Sequence, residues 1–277
     1  MKKTILLIGA SGYIGKKLKS SLKKKYFLIY PRTKDGFDIS KINTLKKIFN
    51  NKVDIIINLS GQINSNKKLM KKVIINGNKN IIELCKRKNT LVLYFSTSLV
   101  YGYSNKIKKE NSLKRPLDDY SRYKLTAENE YLKSGINYKI LRLCNIYDGK
   151  KSGIIKILID SLIKNKEVEI SNAKVFRNYL SIDDLIKIIC KMLKMKLKYD
   201  IYNIGFENVK IIEIIRGLEK KLKLKINFKD NFFDLKKIPS QRISINRLIT
   251  EIRYKPKINL KLYLLKKYYS EFKLLKK

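Results

Sequence analysis

The feature that most constrains this chain lies near its start. The apolar run Thr4-Ile5-Leu6-Leu7-Ile8 passes directly into Gly9-Ala10-Ser11-Gly12-Tyr13-Ile14-Gly15, which opens a segment of helical period. Glycines there permit a tight turn and close backbone approach, and the helix amino terminus offers unpaired N–H groups to an anion. A GxxGxxG loop between strand and helix predicts a dinucleotide site, with Gly9, Gly12, Tyr13, Ile14 and Gly15 as candidate cofactor-binding residues. Outside that setting the same glycines would be an ordinary turn.

The alternation continues along the first half. Strands are predicted over 27–30, 53–59, 91–96 and 138–143, with amphipathic stretches of helical length between them. Near-continuous apolar strands separated by helices imply a parallel sheet covered on both faces, hence an α/β, Rossmann-type doubly wound fold. After about residue 145 the rhythm loosens, with helices predicted over 152–165, over 211–222 and from Asn259 onward. That stretch is short for an independent domain and reads as a small C-terminal α/β substrate lobe. The expected division gives residues 1–145 plus about 181–204 to the dinucleotide-binding domain, and about 146–180 plus 205–277 to the lobe.

Composition narrows the chemistry. At 277 residues the chain can bury a full core, and it contains no histidine, which removes imidazole as an acid, base or metal ligand; no metal is expected. Cys85, Cys144 and Cys190 have no CxxC spacing and read as small buried hydrophobes in a reducing compartment, so a cytoplasmic location is expected. The start imitates a signal peptide, but Gly9 and Gly12 interrupt its apolar run. No apolar run approaches the roughly 20 residues that span a bilayer, so no membrane partner is expected. The net charge of +41 comes from 54 lysines against 10 arginines spread along the chain. Nucleic-acid readers lean on arginine, so no specific nucleic-acid partner is expected, and the lysines form a solvated surface. Scarce arginines should sit where a planar, bidentate donor is required.

Three further stretches carry chemistry. Tyr30-Pro31-Arg32-Thr33-Lys34 ends the second strand, where an NAD-selective site places a carboxylate against the ribose 2′-hydroxyl. Arg32 can instead pair with a 2′-phosphate, which favours NADP over NAD, or be a plain surface arginine. Asp38-Ile39 follows, and Asp38 can accept from an adenine amino group or cap a turn. Tyr120-Ser121-Arg122-Tyr123-Lys124 puts Tyr120 and Lys124 on one helix face, where an ammonium is expected to lower the phenol below its usual value near 10. Upstream, Ser96-Thr97-Ser98-Leu99-Val100-Tyr101-Gly102 closes the fourth strand at the carboxyl edge of the sheet, where ligands bind in open α/β folds.

These residues resemble, nearly from end to end, the extended short-chain dehydrogenase/reductases that act on nucleotide-sugars, the NAD-dependent epimerase/dehydratase group. The resemblance implies that Tyr120 and Lys124 are catalytic and also touch the cofactor, and that Thr97 is the catalytic Ser/Thr. Asn58-Leu59-Ser60-Gly61 resembles the third-strand signature, with Asn in place of its usual histidine; Leu59, Ser60 and Gly61 would line the cofactor with Arg32, Asp38, Ile39 and Asn76. Substrate contacts would come from Thr97, Ser98, Asn145 in Leu141-Arg142-Leu143-Cys144-Asn145-Ile146-Tyr147, Arg177 in Arg177-Asn178-Tyr179-Leu180-Ser181-Ile182-Asp183-Asp184, and Arg242. Arg142 could equally be half of a buried ion pair. The implied cofactor is NADP or NAD and the implied partner a nucleotide-diphosphate sugar. A homodimer through helices near 66–88 and 119–134 is also implied, although lysine density there opposes it.

Departures sharpen the expectation. Ser98 and Leu99 follow Thr97 where the 4,6-dehydratases of the group carry Asp-Glu, which disfavours dehydration, and the absence of histidine removes the Cys/His pair of its double epimerases. What is left is an isomerase or oxidoreductase of carbohydrate biosynthesis acting at sugar C4, by epimerisation or by reduction of a 4-keto sugar. The alternatives from other classes are a non-catalytic dinucleotide-binding regulator of the same fold and a basic nucleic-acid binder.

Overall fold

Runs of β-branched and leucine side chains without a polar break are stable only as strands buried on both faces. In the computed structural model, which describes residues 2–49, 52–61, 66–102, 104–148, 154–164, 167–171, 173–231 and 240–275, they form one central sheet. Strands β1 (Thr4–Ile8), β2 (Phe27–Ile29), β3 (Ile55–Asn58), β4 (Leu91–Thr97) and β5 (Tyr138–Leu143) lie in the order β2-β1-β3-β4-β5, and a sixth strand, Ile201–Ile204, flanks β5. Pairing from β2 through β5 is parallel throughout, with Ile5 opposite Ile55 and Thr97 opposite Leu143. The observed mainly parallel sheet with flanking helices is the Rossmann-like arrangement expected.

Helices α1 (Tyr13–Leu22), α2 (Ile42–Phe49), α3 (Lys67–Lys71), α4 (Gly77–Cys85) and α5 (Asp119–Leu132) join these strands. One sheet face, with Leu6, Ile8, Ile56, Val92 and Tyr94, packs on α2, α4 and α5 through Leu45, Ile81, Ala127 and Tyr131. Alternate residues Ile5, Leu7, Leu93 and Leu141 are also fully buried, and α1 lies against β1. Between α3 and α4 the chain makes one π-helical turn, Lys72–Asn76. The buried Asn78 amide donates to the Ile74 carbonyl within that turn (2.6 Å), and a side chain inserted into the helical ladder is a recognised cause of such an irregularity.

The chain divides into two compact units. The first comprises Met1–Tyr101, Leu113–Leu143 and Met192–Tyr202; the second comprises Gly102–Ser112, Cys144–Lys191 and Asn203–Lys277. The second contains β6 (Asn145–Tyr147), α6 (Ile154–Lys164), β7 (Val168–Ser171), β8 (Phe176–Ser181), α7 (Ile182–Met192), the end of the strand already described (β9), β10 (Glu207–Lys210), α8 (Ile211–Leu222), β11 (Phe228–Asn231), α9 (Asn246–Ile252) and α10 (Leu260–Leu275). Strand β8 pairs antiparallel with β10 and parallel with β6, while β11 pairs with β7. Leu158, Ile159, Tyr179, Ile215, Leu218, Leu260 and Leu264 form its core. Helix α8 has the span its periodicity predicts, and residues 152, 153 and 165 of another predicted helix lie outside the described residues.

Helix α7, placed with the dinucleotide-binding domain in the sequence-based division, falls within the second unit up to Lys191. Its buried Asp184 accepts from the Ser181 and Tyr254 hydroxyls and from the Lys257 (3.3 Å) and Ile258 (3.2 Å) N–H groups. Lys191 donates to the Ile252 carbonyl (3.1 Å). These bonds tie α7 to the segment between α9 and α10.

Candidate active site

Gly9 follows β1 at φ +83°, a conformation glycine adopts without strain, and its carbonyl accepts from Gly12 N–H (3.0 Å). A Cβ on Gly15 would overlap that carbonyl and come within 2.7 Å of Ala10 Cα, so α1 can begin this close to the loop only with glycine. Gly12 caps α1 without a side chain, and no acidic residue stands in its first turn, which leaves N–H groups and a positive dipole end for an anion. Tyr13 and Ile14 are half-buried in that turn.

Gly9, Ser11, Arg32, Asp38, Ile39, Ser60 and Gly61 help to line one cleft of about 390 Å³. Leu59 follows β3, its N–H donating to the Ile8 carbonyl (3.1 Å). The Ser60 hydroxyl is buried and, among the described residues, has no partner, a cost that a bound polar group would relieve. The glycine cradle, the helix end without a side-chain cap and this hydroxyl together fit a dinucleotide.

Two residues of the cleft already hold partners. Arg32 forks onto Asp35, Nε to Oδ2 at 2.6 Å and Nη2 to Oδ1 at 3.2 Å, with both side chains about half exposed. Asp38 Oδ1 closes its own turn by accepting from Ser40 N–H (2.9 Å) and Oγ (2.7 Å), and Lys72 stands 3.6 Å from Oδ2. Burial opposes ionisation of Asp38, yet the Ser40 bonds and the Lys72 charge hold it below its usual value. The turn-capping role left open for Asp38 is therefore the one its own contacts display. Asn76 is exposed. It is Asn78, two residues on, that is fully buried, accepting at Oδ1 from Asn58 Nδ2 (2.8 Å) and the Tyr131 hydroxyl (2.7 Å).

The next group is organised by α5. Asp118 caps the helix, accepting from Ser121 N–H (2.7 Å) while Ser121 Oγ accepts from Asp118 N–H (3.4 Å). That cap fixes the register in which Tyr120, Lys124 and Glu128 follow at intervals of four along one face. The Lys124 ammonium is fully buried, donates to the carbonyls of Phe95 (2.8 Å) and Ser60 (3.0 Å), and lies 5.0 Å from the Tyr94 ring centroid and 5.7 Å from that of Tyr120. Burial pulls it down to about 7, with the Glu128 charge working the other way. Thr97 is buried at the end of β4, its Oγ1 accepting from Leu99 N–H (3.2 Å), and Ser98 is buried in the short turn that follows.

One expectation is overturned. Tyr120, half-buried, is pushed up to about 12, by burial first and by the Asp118 carboxylate second, rather than lowered by Lys124. The reason is geometric: Lys124 turns its charge to two carbonyls, and desolvation of the phenol exceeds any attraction at that distance.

A second buried set was not anticipated as a whole. Glu128 accepts from Arg142 at Nε (3.1 Å) and Nη2 (2.6 Å) and from Ser96 Oγ, while Arg142 Nη1 donates to the Tyr101 hydroxyl (2.8 Å). Both ionic side chains are fully buried, so Arg142 is the buried ion pair that was one of its two readings. Burial opposes the guanidinium charge, but Glu128 more than restores it. The available signals were an arginine inside an apolar strand and a glutamate one turn beyond Lys124.

The second unit holds the remaining candidates. Arg242 lies over the Phe176 ring at 4.4 Å, donates through Nη1 to the Asn105 carbonyl (3.3 Å), and keeps a buried Nε with no partner among the described residues. Lys210, missed from sequence, lies 4.8 Å from the same ring. Arg177 Nη1 donates to the Phe176 carbonyl (3.0 Å). Asn145 is exposed, its amide donating to the Asn178 carbonyl (3.0 Å) and to Gln241 Oε1 (3.1 Å). Thr97, Tyr120 and Lys124 thus belong to the first unit, and Asn145, Arg177 and Arg242 to the second.

Comparison with known proteins places this arrangement. Residues 5–205 match the family model for the NAD dependent epimerase/dehydratase family. A curated relative, dTDP-D-glucose 4,6-dehydratase of Dictyostelium discoideum, is 31% identical over 250 residues, which cover 73% of this chain and 58% of that protein. The chain therefore spans less than two thirds of that relative's length, and 49% of a second one's. Among solved structures, WbmG of Bordetella bronchiseptica in complex with NAD and UDP superposes with a TM-score of 0.84 at 16% identity, over 98% of this chain and 96% of that one. RMD from Pseudomonas aeruginosa complexed with NADPH gives 0.76 at 20% identity, over 98% and 100%. At those identities the likeness establishes the fold. No helix among the described residues is long and apolar enough to cross a membrane.

Proposed function

Since this chain belongs to the NAD-dependent epimerase/dehydratase family, we propose that it moves a hydride between a nicotinamide dinucleotide and C4 of a nucleotide-diphosphate sugar, as a 4-epimerase or a 4-keto reductase. The observation that carries this reading is the buried Lys124 ammonium 5.7 Å from the ring of Tyr120, bonded to a carbonyl two residues before Thr97 on β4. A cation without a carboxylate bonded to it, beside a phenol at the carboxyl edge of a parallel sheet, is suited to proton transfer rather than to stability.

The dinucleotide would supply or accept the hydride. The chain's own groups handle the proton. Tyr120, neutral around pH 7, donates from its hydroxyl to the sugar O4 as a carbonyl there is reduced and recovers the proton in the reverse direction, a role worth about 10²–10⁴ in rate. A proton held by Lys124 puts a positive charge near the phenol that works against its burial without overcoming it, and Thr97 orients O4 through its hydroxyl. Asn145 and Arg177 would hold the diphosphate and Arg242 would contact the substrate; the buried Arg242 Nε, without a partner among the described residues, supports the last of these. Arg32 makes NADP the favoured cofactor. Dehydration, the activity of the Dictyostelium relative, is not proposed, because Ser98 and Leu99 offer no carboxylate after Thr97.

The test is turnover of a panel of nucleotide-diphosphate sugars and their 4-keto forms with each cofactor, with products identified by NMR. Epimer formed without net change of cofactor identifies an epimerase, and stoichiometric cofactor oxidation identifies a reductase. Tight cofactor binding with no conversion across the panel would instead favour a non-catalytic regulator.

A further inference from the structure

Behind Lys124 lies a line of hydrogen bonds that proton transfer at Tyr120 does not use. The Lys124 ammonium donates to the Ser60 carbonyl (3.0 Å), and the Ser60 N–H donates to Asn58 Oδ1 (3.0 Å). Asn58 Nδ2 donates to Asn78 Oδ1 (2.8 Å), and Asn78 Nδ2 donates to the Ile74 carbonyl inside the π-helical turn (2.6 Å). Both asparagines are fully buried. A main-chain N–H at one end and a main-chain carbonyl at the other leave each amide a single orientation, so every donor in the line points away from the ammonium.

Ser60 is the joint. Its carbonyl belongs to a peptide followed by Gly61 at φ +82°, a residue with wide rotational freedom, so the direction of that carbonyl depends on an outside hold. Asn58 supplies one at the Ser60 N–H. Asn58 also stands where the third-strand signature of the group usually has histidine. An imidazole would add a second group titrating near neutrality beside Lys124, whereas an amide offers a donor and an acceptor together and does not titrate. A plain structural network would need none of this. Tyr131 serves as the comparison: its hydroxyl donates to the same Asn78 Oδ1 (2.7 Å) but is not a link between Asn78 and Lys124.

We infer that Asn58 is a positioning residue: by holding the Ser60 N–H it turns the Ser60 carbonyl onto the Lys124 ammonium, and Asn78 anchors Asn58 to the π turn. Of the titratable groups that face Lys124, Tyr94 from β4 and Tyr120 from α5 are kept neutral by burial, and Glu128 is engaged by Arg142. The two carbonyls are therefore what favours the charged ammonium from the strand side, and loosening one should weaken its hold on the proton. The inference deepens the hydride-transfer reading, in which Lys124 assists Tyr120.

The readout is Lys124 itself, followed by carbon NMR in cofactor-free protein labelled at lysine Cε, so it does not depend on turnover. The wild-type midpoint lies near pH 7. Asn58→Leu should lower it by about one pH unit, the scale of a lost hydrogen bond to a charged group. Asn58→Ala leaves room for a water to satisfy the freed groups and so keeps the fold if the leucine variant does not; it should lower the midpoint in the same direction. Tyr131→Phe removes a bond from the same buried network and should lower the urea midpoint while leaving Lys124 unmoved. An unchanged Lys124 in the folded Asn58 variants, or an equal shift in Tyr131→Phe, would overturn the inference and leave the hydride-transfer reading standing. Shifts as expected in a protein that converts no nucleotide-sugar would remove that reading and leave Asn58 as the residue that positions Lys124.

Discussion

Helix α5 borders two buried cations that the fold treats in opposite ways. Toward its amino end Lys124 is bonded to two carbonyls and drops to about 7. One turn later Glu128 receives Arg142 through two nitrogens and keeps it charged in spite of burial. The same helix face therefore carries one cation poised near neutrality and, one turn on, the carboxylate that fixes the charge of another on β5. The difference shows what burial alone does and what a carboxylate adds: a cation without one can exchange a proton, and a cation with one can only clamp.

Removing the clamp should have the largest effect. Arg142→Met leaves Glu128 buried without its counter-charge and should lower unfolding free energy by about 3–5 kcal/mol, a large part of the roughly 5–15 that a domain possesses. Urea unfolding measures this, and Arg142→Met/Glu128→Leu should recover much of the loss. A single variant within about 1 kcal/mol of wild type would show that the clamp is not structural.

Tyr120→Phe should do the reverse, leaving the urea midpoint nearly unchanged and lowering turnover by about 10² or more. Tyr123→Phe is the control. If Tyr123→Phe is the damaging change, the register assigned to α5 is wrong.

The Lys124 end can also be read through stability. Its folded value lies below the ordinary one near 10.4, so the unfolded chain binds more protons between about pH 7 and 10. The wild type should therefore gain stability relative to Lys124→Met as pH rises through that window, by up to about 1.4 kcal/mol per pH unit, and the difference should level off below pH 7. A flat difference would place an ordinary lysine there.

The smallest effect belongs to Asp118, whose carboxylate is the second cause of the raised Tyr120 value. Asp118→Asn keeps an effective cap, removes the charge, and should move the basic limb of the pH–rate profile downward with little change in stability. No movement of that limb would mean that burial alone sets the phenol.

The glycine loop, the parallel strands and α8 were legible because their signals are local: a period, or a glycine where only glycine fits. Asn76 and Asn78 were not separable, since the π turn that ends at Asn76 breaks the 3.6-residue phase by which an inward side chain is identified. Tyr120 and Lys124 could be placed on one face by spacing, but the direction of the Tyr120 shift depends on how deeply the phenol is buried and where the ammonium turns. The carbonyls that accept from Lys124 belong to residues 64 and 29 positions away, one just after β3 and one near the end of β4, which only the fold brings together. Lys210 had no signal among so many lysines beyond its place near Phe176, which is a product of the β8–β10 pairing.

The contrast along α5 can be tested on the nucleus concerned. In protein labelled at lysine Cε and free of cofactor, a pH titration followed by carbon NMR should show one of the 54 lysines titrating near pH 7, and that resonance should vanish in Lys124→Met. If every lysine instead titrates near the ordinary value of about 10.4, Lys124 is not the poised cation and the division of α5 into a reactive end and a clamped end fails.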